Sequence, residues 1–142
     1  MAEFDLKKFY RSKREYLNPR TGKLRKGFVR VSFQEFSGWV AAASSPERCH
    51  YCGTSSGQCA KLFELQDGEN RYQATRGGRR GRRLELDRRN ASKAYDELDN
   101  LVWCCYWCNN AKSNFFTEDE FMPVAKAIGQ ALNLICEQGN LK

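Results

Sequence analysis

A chain of 142 residues, 41% of them hydrophobic, has room for one domain with a modest core, one that a bound metal would help to hold together. No apolar run comes near the roughly 18 residues a membrane span needs, and the N-terminus lacks a signal-peptide pattern, so a soluble, cytoplasmic protein is expected. The net charge of +7 is unevenly placed: residues 1–30 carry ten Lys and Arg against three acids, residues 71–93 carry nine against two, and the remainder is acidic. Basic clusters of this density favour a polyanion, above all nucleic acid.

In chain order, residues 1–17 read as a basic helix with Phe4, Phe9, Tyr10 and Tyr16 on an irregular apolar face. Asn18-Pro19-Arg20-Thr21-Gly22 is a turn signal, and Val29, Val31 and Phe33 alternate like a strand. Residues 1–31 are therefore set apart as an arm that grips nucleic acid, docks on a protein partner or packs on the core, and residues 32–142 as the main domain. Ser32 and Glu35 form a capping box ahead of a helix with an apolar stripe of Phe33, Phe36, Trp39, Val40 and Ala43.

The knuckle Cys49-His50-Tyr51-Cys52-Gly53 follows, with glycine permitting its tight turn. Residues 54–70 are weakly patterned, with Leu62, Phe63 and Leu65 as a short buried segment. Next comes Arg76-Gly77-Gly78-Arg79-Arg80-Gly81-Arg82-Arg83, a glycine-loosened loop whose guanidinium forks suit phosphate oxygens. Arg76, Arg79, Arg80, Arg82, Arg83, Arg89 and Lys112 are the candidate nucleic-acid contacts. Leu84 and Leu86 share one face of a short strand while Arg83, Glu85 and Asp87 share the other. A second apolar strand, Asn100 to Cys104, leads into the knuckle Cys105-x-x-Cys108 and a helix start. Thr117 and Glu120 form another capping box, before a helix with Phe121, Val124, Ala125, Ile128, Leu132 and Ile135 on its core face and a kink or break at Pro123.

Two Cys-x-x-Cys pairs in a chain without a secretory signal point to metal thiolates in a reducing compartment, and Cys49, Cys52, Cys105 and Cys108 give the four ligands of a tetrahedral structural zinc. Cys104 competes with Cys105; the two-residue spacing to Cys108 favours Cys105. His50, between the first pair, should point outward, and Cys59 and Cys136 read as packing residues.

The strand-loop-strand-knuckle-helix order of residues 83–114, with the upstream knuckle, resembles the HNH endonuclease family, in its phage and bacterial branch reading L-D-R at Leu86-Asp87-Arg88 where other members read D-H. The resemblance covers about residues 32–132. It implies an α+β fold, a ββα-metal site on a treble clef, with Asp87 and Asn109 holding a catalytic Mg²⁺ or Mn²⁺ and Asn100 steadying the loop. The family's general-base histidine is replaced by Arg88, which stays protonated and would instead clamp phosphate. The base would then be Glu85, Asp96, a residue from another chain, or none, with water activated by the cation alone. Three functions follow: a metal-dependent endonuclease hydrolysing phosphodiester bonds in DNA, in a phage or defence setting; a catalytically weak or inactive zinc module that binds nucleic acid, alone or within a larger nucleoprotein or defence complex; or an adaptor whose aromatic and basic N-terminal segment docks on a partner protein.

Overall fold

The structure is a computed structural model and describes residues 5–43, 47–68 and 81–140. Helix α1 (Leu6–Ser12) is capped by Asp5, whose carboxylate accepts from the Lys8 N–H at 3.0 Å. It is shorter than the sequence pattern suggests, because Tyr16 belongs to a two-stranded ribbon, β1 (Tyr16–Leu17) and β2 (Leu24–Arg25), joined through the expected turn at Asn18 to Gly22. Val29 to Val31 form no strand. Asp96 instead takes their three backbone N–H groups at 2.9–3.0 Å.

Helix α2 (Phe33–Ala43) starts at the Ser32–Glu35 box, with its reciprocal bonds in place. The weakly patterned segment is a full helix, α3 (Ser56–Gly68). A capping box missed in the sequence opens it: Ser55 N–H donates to the Gln58 amide oxygen at 2.9 Å, and the Gln58 N–H returns to Ser55 Oγ at 3.1 Å.

Strands β3 (Glu85–Arg88) and β4 (Leu101–Cys104) pair antiparallel, Glu85 opposite Cys104 and Asp87 opposite Val102, with a short 3₁₀ turn at Leu98–Asn100 entering β4. Helix α4 (Tyr106–Lys112) follows directly. Helix α5 (Glu118–Asn140) opens at the Thr117–Glu120 box and runs past Pro123 without the break that was one of the two outcomes expected there. The proline sits early in a 23-residue helix, so the single backbone bond it removes is outweighed by the packing on either side.

The core joins both halves of the chain: Tyr10, Phe28 and Phe36 pack with Leu86, Trp103 and the cysteine-rich segment, and Phe121, Ala125 and Leu132 bring in α5. Ile135, expected on the core face of α5, is exposed and Cys136 is buried in its place. Among the described residues, no helix is long and apolar enough to cross a membrane.

Candidate metal centre and phosphodiester site

In the first knuckle the Cys52 N–H bonds to Cys49 Sγ at 3.4 Å, and Gly53, at φ +79°, turns the chain so that its own N–H reaches the Cys49 carbonyl at 2.9 Å. The second knuckle doubles as the start of α4, with Cys105 as N-cap and its sulfur accepting from the Cys108 N–H at 3.4 Å. A bond of 2.8 Å from the His50 N–H to the Trp103 carbonyl lays the first knuckle against β4.

The sulfurs of Cys49, Cys52, Cys105 and Cys108 all lie within 4.8 Å of one another, and Cys52 Sγ is 3.7 Å from Cys105 Sγ. Four thiolates at about 2.3 Å from a tetrahedral ion sit roughly 3.8 Å apart, so the cluster has the size and donor set to hold one metal ion. Thiol hydrogen bonds from Cys105 first and Cys108 second pull Cys52 down to about 7. Cys49 is lowered too, by bonds from the same two thiols in that order. Cys105 and Cys108 are raised in turn, so the protons divide between the two pairs, and a metal thiolate set would need all four removed. Cys104 lies outside the cluster, wholly buried, with its pKa raised by burial, so the choice between Cys104 and Cys105 falls on Cys105. Cys59 and Cys136 are likewise buried apart from it.

Strand alternation sends the Glu85 and Asp87 side chains to the opposite face from buried Leu84 and Leu86, where α4 packs. Asn109 and Lys112, three residues apart, occupy one side of that helix. Asn109 donates its amide N–H to Glu85 Oε1 at 2.9 Å, leaving its amide oxygen as the atom able to take a cation. Lys112 places Nζ 3.2 Å from Asp87 Oδ2 and 3.0 Å from the Arg88 carbonyl. The Tyr51 hydroxyl donates to the same Asp87 oxygen at 2.5 Å. Burial, then the bond to Asp87, raises the Tyr51 pKa, so the phenol stays protonated and donating. Two donors therefore hold Asp87 Oδ2, and Oδ1 is the oxygen left to a ligand.

Asn100 closes the loop between the strands, its amide oxygen accepting from the Asn90 N–H and its amide N–H reaching the Asn90 carbonyl, both at 2.9 Å. Arg88 lies over the Tyr95 ring, 4.7 Å from the centroid, and donates one N–H to the Lys93 carbonyl at 3.1 Å, so one arm of its fork is engaged within the loop. Asp96 is likewise no free base: burial alone would raise its pKa, but the Val31, Arg30 and Val29 N–H groups hold it below the ordinary carboxylate value.

Of the expected nucleic-acid contacts, Lys112 is fully buried in the pair with Asp87 and is corrected to an internal residue. Arg89 is tied to Glu118 at 2.8 Å, and the other oxygen of that carboxylate meets His50 Nε2 at 2.6 Å. Arg82 stacks on Phe63 at 5.1 Å, and Arg83 is exposed just ahead of β3. Arg76, Arg79 and Arg80 lie outside the described residues. Sequence reasoning missed Tyr51 and Glu118: the first was read only as a spacer in the knuckle, the second only as part of a helix start.

A cleft of about 920 Å³ runs beside the 89–100 loop, with Asn100, Phe116 and Glu118 in its wall. Asp87 is not in its lining, and its acids, six against two basic residues, disfavour a phosphate backbone.

No family model matches the chain, and no curated protein sequence matches it. Among solved structures it is similar to PacI, described as a rare-cutting HNH restriction endonuclease with an unusual mechanism of DNA perturbation, at 25% identity and a TM-score of 0.55, over 73% of this chain and 66% of that one. The chain thus spans slightly less than two thirds of that enzyme's length. A hairpin and helix mounted on a four-cysteine cluster, in a fold similar to that of an HNH restriction endonuclease, bear out the HNH resemblance that the sequence motifs carry.

Proposed function

We propose that this chain is a metal-dependent endonuclease of HNH type that hydrolyses phosphodiester bonds in DNA. The observation that carries the reading is the meeting of the Asp87 carboxylate on β3 with the Asn109 and Lys112 side of α4, the helix that also carries Cys108 of the four-cysteine cluster. Zinc is the ion assigned to the cluster, since four cysteine thiolates match its softness and geometry. Asp87 Oδ1 and the Asn109 amide oxygen form an oxygen donor set suited to Mg²⁺ or Mn²⁺, which when bound supplies positive charge to the scissile phosphate. Tyr51 and Lys112 orient Asp87, and Asn100 fixes the loop that follows β3. Glu85 orients Asn109.

A second reading rests on Arg88. The position that holds the family's histidine carries a cation locked to Tyr95 and Lys93, which suits a module that binds nucleic acid without cutting it, alone or within a nucleoprotein complex.

Supercoiled plasmid incubated with the protein in Mg²⁺, Mn²⁺ or no added divalent ion, alongside Asp87→Ala, decides between them. Nicking or linearisation that requires the ion and disappears in the variant supports the nuclease. Plasmid that is retarded but never cut gives the second reading.

A further inference from the structure

The ribbon β1–β2 buries nothing of its own. Tyr16, Leu17 and Leu24 are 50%, 60% and 52% exposed, and a two-stranded ribbon without a buried face is marginal in water. Its root, however, is fixed. The Phe28 N–H bonds to the Lys13 carbonyl at 2.9 Å and the Glu15 N–H to the Phe28 carbonyl at 3.0 Å, with the Phe28 ring sealed in the core. Gly27 makes this crossing possible, since a Cβ there would lie 2.0 Å from the Lys13 carbonyl oxygen. The tip is set by Asn18, which accepts from the Arg20 N–H at 2.9 Å and also receives the Gly22 N–H on its carbonyl.

The register makes the two faces unlike. Tyr16 lies opposite Arg25 and Leu17 opposite Leu24, so alternation groups Tyr16, Lys23 and Arg25 on one face, with Arg14 exposed at its root. Arg25 spans that face, its guanidinium 5.5 Å from the Tyr16 ring centroid and 3.0 Å from the Arg14 carbonyl. Between Lys13 and Arg30 the sequence holds a single acid, Glu15, which falls on the other face. A rigidly rooted, exposed ribbon with one cationic face is complementary to a phosphate-lined groove. The two leucines opposite offer far less than the roughly 800 Å² per partner that a stable protein interface buries.

We propose that the ribbon enters the major groove of duplex DNA, with Arg14, Lys23 and Arg25 against the phosphates that flank it. A major groove about 12 Å wide admits a two-stranded ribbon, and this is where bases are most fully distinguishable. The inference rests on the reading of DNA as the partner and adds the element that seats it.

The test measures binding of the full chain to a mixed-sequence linear duplex without added divalent ion, across a salt series, for the wild type, Arg14→Ala/Lys23→Ala/Arg25→Ala and Leu17→Ser/Leu24→Ser. The cationic triple variant is expected to flatten the slope of log K against log salt by roughly 2 to 3 units, at about 0.9 per phosphate contact, with the leucine variant close to wild type. Dimethyl sulfate footprinting of the wild-type complex supplies a readout that no variant's folding can confound: guanine N7 atoms in the major groove should be protected. An unchanged slope, or protection confined to the minor groove, overturns the proposal. So does a change in oligomeric state by sedimentation with the slope unaltered, which would give the ribbon to a second copy of the chain. If plasmid is cut by the wild type and equally by the triple variant with the same salt slope, the ribbon assignment falls and the nuclease stands. Slope and footprint as expected, without cleavage, leave the ribbon standing and remove the nuclease. Absence of duplex binding removes both.

Discussion

Lys112, with no exposed surface, sets its ammonium 3.2 Å from Asp87 Oδ2. A buried pair of this kind punishes removal of one partner more than removal of both. Lys112→Met should cost about 3–5 kcal/mol in denaturant unfolding, because the Asp87 charge is left without its cation. Lys112→Met/Asp87→Asn should regain much of that loss; a double variant as unstable as the single would show that packing, not charge, is what Lys112 supplies.

Tyr51→Phe removes the other donor to Asp87 and should cost about 1.5–3 kcal/mol, the worth of a hydrogen bond to a charged group. Its pH signature has a definite sign. The folded-state pKa is raised by burial and by Asp87, so the contribution is whole below the ordinary tyrosine value of about 10 and is lost as pH climbs above it, where the unfolded phenol ionises and the folded one resists. The alkaline fall in stability should therefore be shallower in Tyr51→Phe than in the wild type, as followed by thermal melts across that range.

Removal of the ion at the four-cysteine cluster is expected to unfold the domain, since the cluster joins segments 53 residues apart in sequence. Elemental analysis should find one zinc per chain, lost in Cys105→Ser and retained in Cys104→Ser, with circular dichroism following the metal. Equal loss in both variants would contradict the ligand set.

Asp96→Asn weakens three bonds to the backbone of residues 29–31 and should destabilise by about 1–3 kcal/mol. Because the folded carboxylate titrates below its ordinary value despite its burial, its contribution is whole above that value and disappears as pH falls through the lowered one. The wild type should lose stability in that acid window, and the variant should lose less.

Local patterns carried much of this fold. The Ser32–Glu35 and Thr117–Glu120 boxes, the alternation at Leu84 and Leu86, and the Cys-x-x-Cys spacing are all short-range signals, and the elements they mark are present. Helix α3 was harder to see because its polar and apolar residues do not segregate into a stripe, and its Ser55–Gln58 box is built from residues equally at home in a turn. The partners of Asp87 were not legible either. Tyr51 lies 36 residues away and Lys112 sits on a helix whose packing side no local pattern reveals, so its charge read as a surface contact. The fate of Arg88 likewise depends on Tyr95, across the same loop, rather than on the strand it ends.

The reach of Asp96 also bears on the order in which the molecule can assemble. Its three acceptor bonds close sequence gaps of 65 to 67 residues, and the cysteine cluster closes one of 53. A growing chain cannot finish either junction until its second half has been made. The backbone of residues 29–31 and the first Cys-x-x-Cys pair thus gain their partners only from segments synthesised much later, which makes both junctions late-closing contacts of high sequence separation.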